Sequence, residues 1–386
     1  MHATLRTHQQ RSRHSAFTFL AALAAILAAS SPAAAQFTPF EAAIAHFDAA
    51  VAAGVAEDAG GAVSVAVFSG DEIIWSKGWG WADIERGRPA TAGTIGRSGS
   101  ISKSFTAVLM MQLVERGLIG LDEPVARYLP EIAELTDPPA DARPITFRML
   151  ASHTAGLERE PGLEGAASGS IYRWEEKVLA SIPTTGFRTA PGTEYAYSNI
   201  GYGMLGLALS RAAGVPFMEL METLLFSPLG MEGSTFIVDS PELFRRLSVG
   251  YTRDRRTGTL SAEAATREHF GRGYKVPNGG IYTTVTDLAA LAAALMGQGP
   301  VQILNEDSRR EMLRPQDPAE GYGLGFTIQQ ADGHTLVGHG GSVAGYNANL
   351  VFDLESGLGV AMLRTTSYNP PVASLLRDLL VAEPPR

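Results

Sequence analysis

The hydrophobic positions of the chain change their spacing three times. Phe40, Ile44, Phe47 and Val51 recur at helical intervals and predict a helix over residues 40–55. Ala62 to Phe68 and Glu72 to Trp79 then read as two strands joined by a Ser69-Gly70-Asp71 turn. A polar, Gly- and Pro-punctuated loop from Trp81 to Thr94 leads into a second helical run. In that run Thr106 alone is polar between Phe105 and Met111, and Leu113 and Val114 extend it. Ser100 is the expected cap and Gly117 the expected stop. A helix apolar on nearly every side is buried, so this one is expected in the middle of the fold.

From about residue 130 to 275 proline and glycine interrupt the pattern, and the periodic segments are helical: Ile145 to Ser152, Tyr202 to Ala213 and Phe217 to Leu225. Strand spacing returns in Gly323 to Gln329, Thr335 to Gly338, Asn347 to Phe352 and Gly359 to Arg364. A turn over Asp353 to Gly357 and a closing helix from Pro371 to Val381 complete the chain. This order predicts an α+β protein: an α/β layer built from residues 36–130 and 276–386, with an all-helical insertion, 131–275, between them.

Composition narrows the setting. Arg6, Arg11 and Arg13 precede an apolar run, Ala16 to Ala29, and Ala33-Ala34-Ala35 is a small-residue cleavage site. Residues 1–35 therefore read as a Sec-type leader, with a mature chain starting near Gln36 and a periplasmic or secreted destination. The run is too short to favour a membrane span, so no stable membrane anchor is expected after cleavage. The chain has no cysteine, which excludes disulfides, Cys-ligated metal and lipid attachment at a cysteine. Net charge is −9 and the mature part holds no basic stretch, so nucleic acid is not an expected partner. The histidines after the leader are scattered, and neither a metal site nor a cofactor is expected.

The buried helix carries unusual chemistry at its start. Ser100 and Lys103 are three residues apart and share a face. A serine hydroxyl becomes a nucleophile when a base takes its proton. Lysine serves as that base when burial and the positive end of a helix dipole lower its pKa, whereas arginine stays charged. The chain has only four lysines among 31 Lys and Arg residues, and Lys103 alone has a serine three residues before it. A chance Ser-x-x-Lys with its lysine reaching solvent remains the alternative on this motif alone.

Two further stretches could complete a site. Tyr197-Ser198-Asn199 sits in a loop after Pro191-Gly192; its phenol could share proton traffic and its amide could hold a substrate carbonyl. Alone it reads first as a tyrosine packing its ring with the hydroxyl at the surface. Gly338-His339-Gly340-Gly341-Ser342 stands at the end of a strand, where glycines permit close backbone approach and an N–H could meet an oxyanion. Its plain alternative is a glycine-rich connection with an exposed His339.

In order and separation these stretches resemble the serine β-lactamase and penicillin-binding-protein superfamily, on its class C β-lactamase-related branch. Ser100-Ile101-Ser102-Lys103 matches Ser-x-x-Lys, Tyr197-Ser198-Asn199 matches Tyr-x-Asn, and His339-Gly340-Gly341 stands where the family has Lys-Thr-Gly or His-x-Gly. Leu150 to Leu157, Pro191-Gly192 and Asn278 to Thr284 are similar supporting phrases. The resemblance implies an antiparallel sheet flanked by helices, with an all-helical domain set against it and the site between. It also implies a serine hydrolase acting through an acyl-enzyme on Ser100, with Lys103 as proton acceptor and Tyr197 as its partner. Asn199 would orient substrate, the N–H groups of Ser100 and Ser342 would form the oxyanion hole, and His339 and Gly341 would flank it. The expected partner is a small-molecule or short-peptide ester or amide, a D-amino-acid peptide or β-lactam included.

The departure lies at His339. Imidazole is mostly neutral at pH 7, so an anionic substrate should be held less firmly than by a Lys-Thr-Gly lysine, which shifts weight toward esterase or D-amino-acid peptidase activity. Three other readings stay open: a Ser100–His339–acid triad, a dinucleotide fingerprint at Gly201 to Gly206, and a binding or sensor protein that acylates and stalls. A G-x-S-x-G elbow is absent.

Overall fold

The computed structural model describes residues 38–58, 61–140, 142–254, 256–317 and 320–382; the expected leader and its cleavage site lie outside them. Seven strands form one sheet: β1 (Ala62–Ser69), β2 (Glu72–Asp83), β3 (Arg88–Pro89), β4 (Thr327–Ala331), β5 (His334–Val343), β6 (Tyr346–Asp353) and β7 (Leu358–Arg364). Their spatial order is β3-β2-β1-β7-β6-β5-β4, and every pairing is antiparallel. The first and last strands are neighbours, in a register running from Val63↔Arg364 to Ser69↔Leu358. The two ends of the chain thus build one layer.

Both faces of the sheet are covered, which is why β1 is buried along nearly its whole length. On one face α1 (Pro39–Asp58) and the closing helix α5 (Val372–Ala382) bury Phe40, Phe47, Val51 and Leu376 against Val63, Val65, Val360 and Met362. On the other face Phe68, Leu350, Ala361 and Leu363 join the main core, which contains α2 (Ser102–Glu115) and α4 (Val285–Met296). Every residue of α2 from Ser102 to Leu113 is buried, as its unbroken apolar run requires. Each large side chain fully buried this way contributes about 1.5–3 kcal/mol relative to exposure. Gly117, at φ +68°, ends the helix, with its N–H on Val114 O and that of Leu118 on Leu113 O.

Several expected boundaries move. Ser100 does not cap α2: a 3-10 turn, Gly99–Ile101, precedes the helix, and the Ser100 hydroxyl is left free for side-chain contact. The loop after Trp79 contributes the end of β2 and all of β3. The Ile145–Ser152 helix shrinks to Phe147–Ala151, capped by the Thr146 hydroxyl. The third expected helix is Phe217–Met221 followed by a π turn, Glu222–Phe226. Residues 323–326 form a turn, with Gly325 at φ +82°, so β4 starts later than its apolar residues suggest. Helix α3 (Asn199–Ala213) begins three residues before its periodic pattern, on the Ser198 hydroxyl, which accepts from Gly201 N. The Gly201 to Gly206 spacing lies inside this helix, where a Cβ on Gly206 would stand 2.3 Å from Pro277; these glycines serve helix packing, not a phosphate loop.

The strand holding His339 also runs further than its pattern implies. β5 continues through Gly340 and Gly341 to Val343, because β6 pairs with it throughout, Tyr346↔Val343 to Asp353↔Leu336. Its pairing with β4 stops at Gly338. From His339 onward the outer edge of β5 therefore faces the Gly99–Ile101 turn. Among the described residues no single helix is long and apolar enough to cross a membrane.

Candidate active site

Two glycines bring the edge of β5 against the start of α2. A Cβ on Gly341 would lie 1.9 Å from Ser98 O and 3.1 Å from Ser100 N. A Cβ on Gly99, itself at φ +53°, would lie 2.7 Å from Ser342 N. Neither position tolerates a side chain, and the result is that the amides of Ser100 and Ser342 flank one small region at the mouth of α2. A cleft of about 690 Å³ opens there, lined by Ser100, Tyr197, His339, Ser342, Arg159 and Arg364 among others.

Lys103 is fully buried and its Nζ lies 3.1 Å from Ser100 Oγ and 3.3 Å from the carbonyl oxygen of Asn278. The same nitrogen stands 4.7 Å from the centre of the Tyr197 ring. Burial holds the amine well below its ordinary range, and the charges of Arg159, Arg272 and Lys275 push in the same direction against the opposing pull of Glu160. An uncharged amine beside a serine hydroxyl is a base in position. Burial raises the Tyr197 phenol, and its side-chain interaction with Ser100 offsets part of that rise. The three side chains thus meet at the start of α2.

His339 is buried and neutral. Burial, then the neighbouring Lys103, lowers its pKa to about 4. Its Nδ1 lies 2.6 Å from Gly340 O and its Nε2 3.1 Å from the Tyr322 hydroxyl. The Nδ1–H tautomer, with Nε2 accepting from the phenol, satisfies both contacts. Neither nitrogen meets a carboxylate, so the alternative triad has no acid and is set aside. The exposed-connection alternative for His339 fails as well.

Asn199 is set back from the cleft. It is the first residue of α3, its amide donates to Glu160 at 2.6 Å, and its carbonyl accepts from Asn278. It therefore reaches Lys103 through Asn278, whose side-chain amide donates to Asn199 O and whose carbonyl accepts from Lys103, and it holds the wall behind the site. Glu160 also binds the Tyr274 hydroxyl and Lys275; although burial opposes ionisation, these partners keep its carboxyl below the ordinary range.

Sequence reasoning missed two contributors, Asn278 and Arg159. Asn278 belongs to the Asn-Gly-Gly phrase but its carbonyl gave no signal. The His153 ring centre lies 4.1 Å from that of Tyr197, tilted by 36°, and His153 Nδ1 accepts from Ser198 N, a structural role. Arg159 places its guanidinium 4.7 Å from the Tyr197 ring, and nothing in its neighbourhood along the chain marks it. Away from the cleft, at the opposite end of β5, His334, Asp353 and Glu355 present potential ligand atoms within 4.8 Å of one another, an arrangement the scattered histidines did not suggest.

The chain is similar to known proteins over most of its length. It is 29% identical over 368 residues to esterase EstB of Burkholderia gladioli, covering 83% of this chain and 91% of that protein. It is 30% identical over 220 residues to the D-alanyl-D-alanine-carboxypeptidase/endopeptidase AmpH of Escherichia coli strain K12, covering 56% of this chain and 53% of AmpH. The match thus spans about half the length of that relative. The structure of an octameric penicillin-binding protein homologue from Pyrococcus abyssi superposes with a TM-score of 0.73 at 26% identity, over 88% of this chain and 77% of that one. A D-amino acid amidase from Ochrobactrum anthropi SV3, at 22% identity and a TM-score of 0.69, shares the fold over 87% of this chain and 98% of its own. The β-lactamase family model matches residues 47–382, and the chain belongs to that family.

Proposed function

We propose that this protein is a serine hydrolase that transfers the acyl group of an ester or amide to Ser100 and then to water. The observation that carries the proposal is the fully buried Lys103 with its Nζ 3.1 Å from Ser100 Oγ, its amine held well below the ordinary range by that burial. Ser100 Oγ attacks the carbonyl carbon while its proton passes to Lys103. The carbonyl oxygen takes up the negative charge between the N–H groups of Ser100 and Ser342. Tyr197 and Lys103 return the proton to the leaving group, the C–O or C–N bond breaks, and an ester on Ser100 remains. Water repeats the sequence in reverse and frees the acid.

Neutral esters and D-amino-acid amides are the favoured substrates. At the position on β5 where a fixed cation would hold a substrate carboxylate stands the neutral His339, both nitrogens engaged. The names of EstB and AmpH are consistent with ester and peptide substrates. An exported protein cleaved near Ala35 completes the proposal, and N-terminal sequencing of exported material should begin near Gln36.

A substrate panel provides the test: nitrophenyl esters, a chromogenic cephalosporin, and D-alanyl and other D-amino-acid amides, each with Ser100→Ala as the blank. Steady turnover of the esters that vanishes in the blank is the expected result. Hydrolysis that survives in Ser100→Ala would defeat the acyl-enzyme mechanism.

A further inference from the structure

The cleft sits in a chain of net charge −9, yet two arginines and no carboxylate line it among the described residues. The groups facing Tyr197 are mostly uncharged. Lys103 from α2 is a buried amine. His153, its ring tilted against that of Tyr197, is kept neutral by burial. Tyr195 on the same loop, Tyr202 from α3, and Tyr322 are phenols whose ionisation burial opposes. His339 on β5 is neutral.

Two of the charged groups nearby are closely paired. Lys275 pairs with Glu160 at 2.9 Å, and Arg272 pairs with Glu268 at 2.8 Å and donates to Gly279 O. Arg159 lies 4.7 Å from the Tyr197 ring centre, while its contact with Glu160 is long, at 3.9 Å. Its backbone carbonyl accepts from Asn199 N and Ile200 N, which anchors the residue to the start of α3. Its side chain is 60% exposed, so truncating it removes charge and leaves the core untouched.

We infer that Arg159 is a positioning residue for the reaction: its guanidinium supplies the fixed positive charge that His339 does not, and so sets the pH at which the Lys103–Tyr197 pair can take the Ser100 proton. A cation over the ring favours phenolate and disfavours ammonium, so both effects move the pair toward its working form at lower pH. This rests on the acyl-enzyme reading above.

The experiment measures two quantities from pH 5 to pH 10 for wild type, Arg159→Gln and Arg159→Lys. One is the rate at which a neutral fluorophosphonate labels Ser100; the other is kcat/KM on a neutral nitrophenyl ester. In Arg159→Gln the acid limb of both profiles should move up by about one pH unit, since removing a nearby cation raises both pKa values. Arg159→Lys should restore most of the shift, and the melting temperature should stay constant in both variants. A uniform drop with the limb in place would mark Arg159 as a substrate contact or structural residue and overturn the inference, as would an unshifted wild-type-like profile. Failure of wild type itself to label at Ser100 would overturn the acyl-enzyme mechanism and this inference together.

Discussion

An amine with no exposed surface gains little from a proton, and that is the chemistry Lys103 brings to Ser100. Replacing Lys103 by alanine should slow phosphonate labelling of Ser100 by about a thousandfold, within the usual span for losing a general base. Lys103→Arg should be as slow, because a guanidinium stays charged, and near-wild-type labelling of either variant would count against the mechanism. This pair was legible in the sequence because three-residue spacing on a helix is a local matter. Arg159 and the burial that keeps His339 neutral were not. They depend on a ring and a phenol delivered by separate segments, and no spacing along the chain encodes such meetings. Asn199 shows the converse: its motif drew attention to it, yet its amide is committed to Glu160.

At the scale of elements, β5 shows why boundaries were harder to read than existence. Gly340 and Gly341 contribute nothing to an alternating pattern, so the strand seemed to stop at Gly338. Pairing with β6 carries it on. The two glycines are nonetheless unequal. A methyl on Gly341 would meet Ser98 O at 1.9 Å, whereas one on Gly340 would find no atom within 4 Å. Gly341→Ala should cost about 1–3 kcal/mol in urea unfolding, the range for forced overpacking. Gly340→Ala should stay within about 0.5 kcal/mol, as open surface positions do. Equal losses in the two variants would mean that β5 does not press on the Gly99–Ile101 turn. The cap at Ser100 misled for a related reason: a 3-10 turn ahead of α2 takes the place where a capping hydroxyl was expected.

For the whole molecule, the order of helical and strand segments was enough to infer a sheet contributed by both ends of the chain. The sheet's register was beyond reach, since β1 and β7 are brought together only by the complete fold. Acid stability is a property at this scale. Burial lowers His269 and His339 to about 4 and lowers His153 as well, from an ordinary value of 6.5. Unfolded imidazoles bind protons that the folded ones refuse, so their contribution is complete above pH 6.5 and is lost as pH falls toward 4. Each such histidine removes up to about 1.4 kcal/mol per pH unit in that window. Urea midpoints at pH 7.5, 6 and 5 should therefore decline, and a flat series would contradict neutral, buried imidazoles. The adjacency of β1 and β7 has a temporal meaning too. While the ribosome is still making the last strands, Ser100 has been made but Ser342, which lines the same cleft, has not. The cleft around Ser100 is therefore complete only when the final stretch is stitched beside the first.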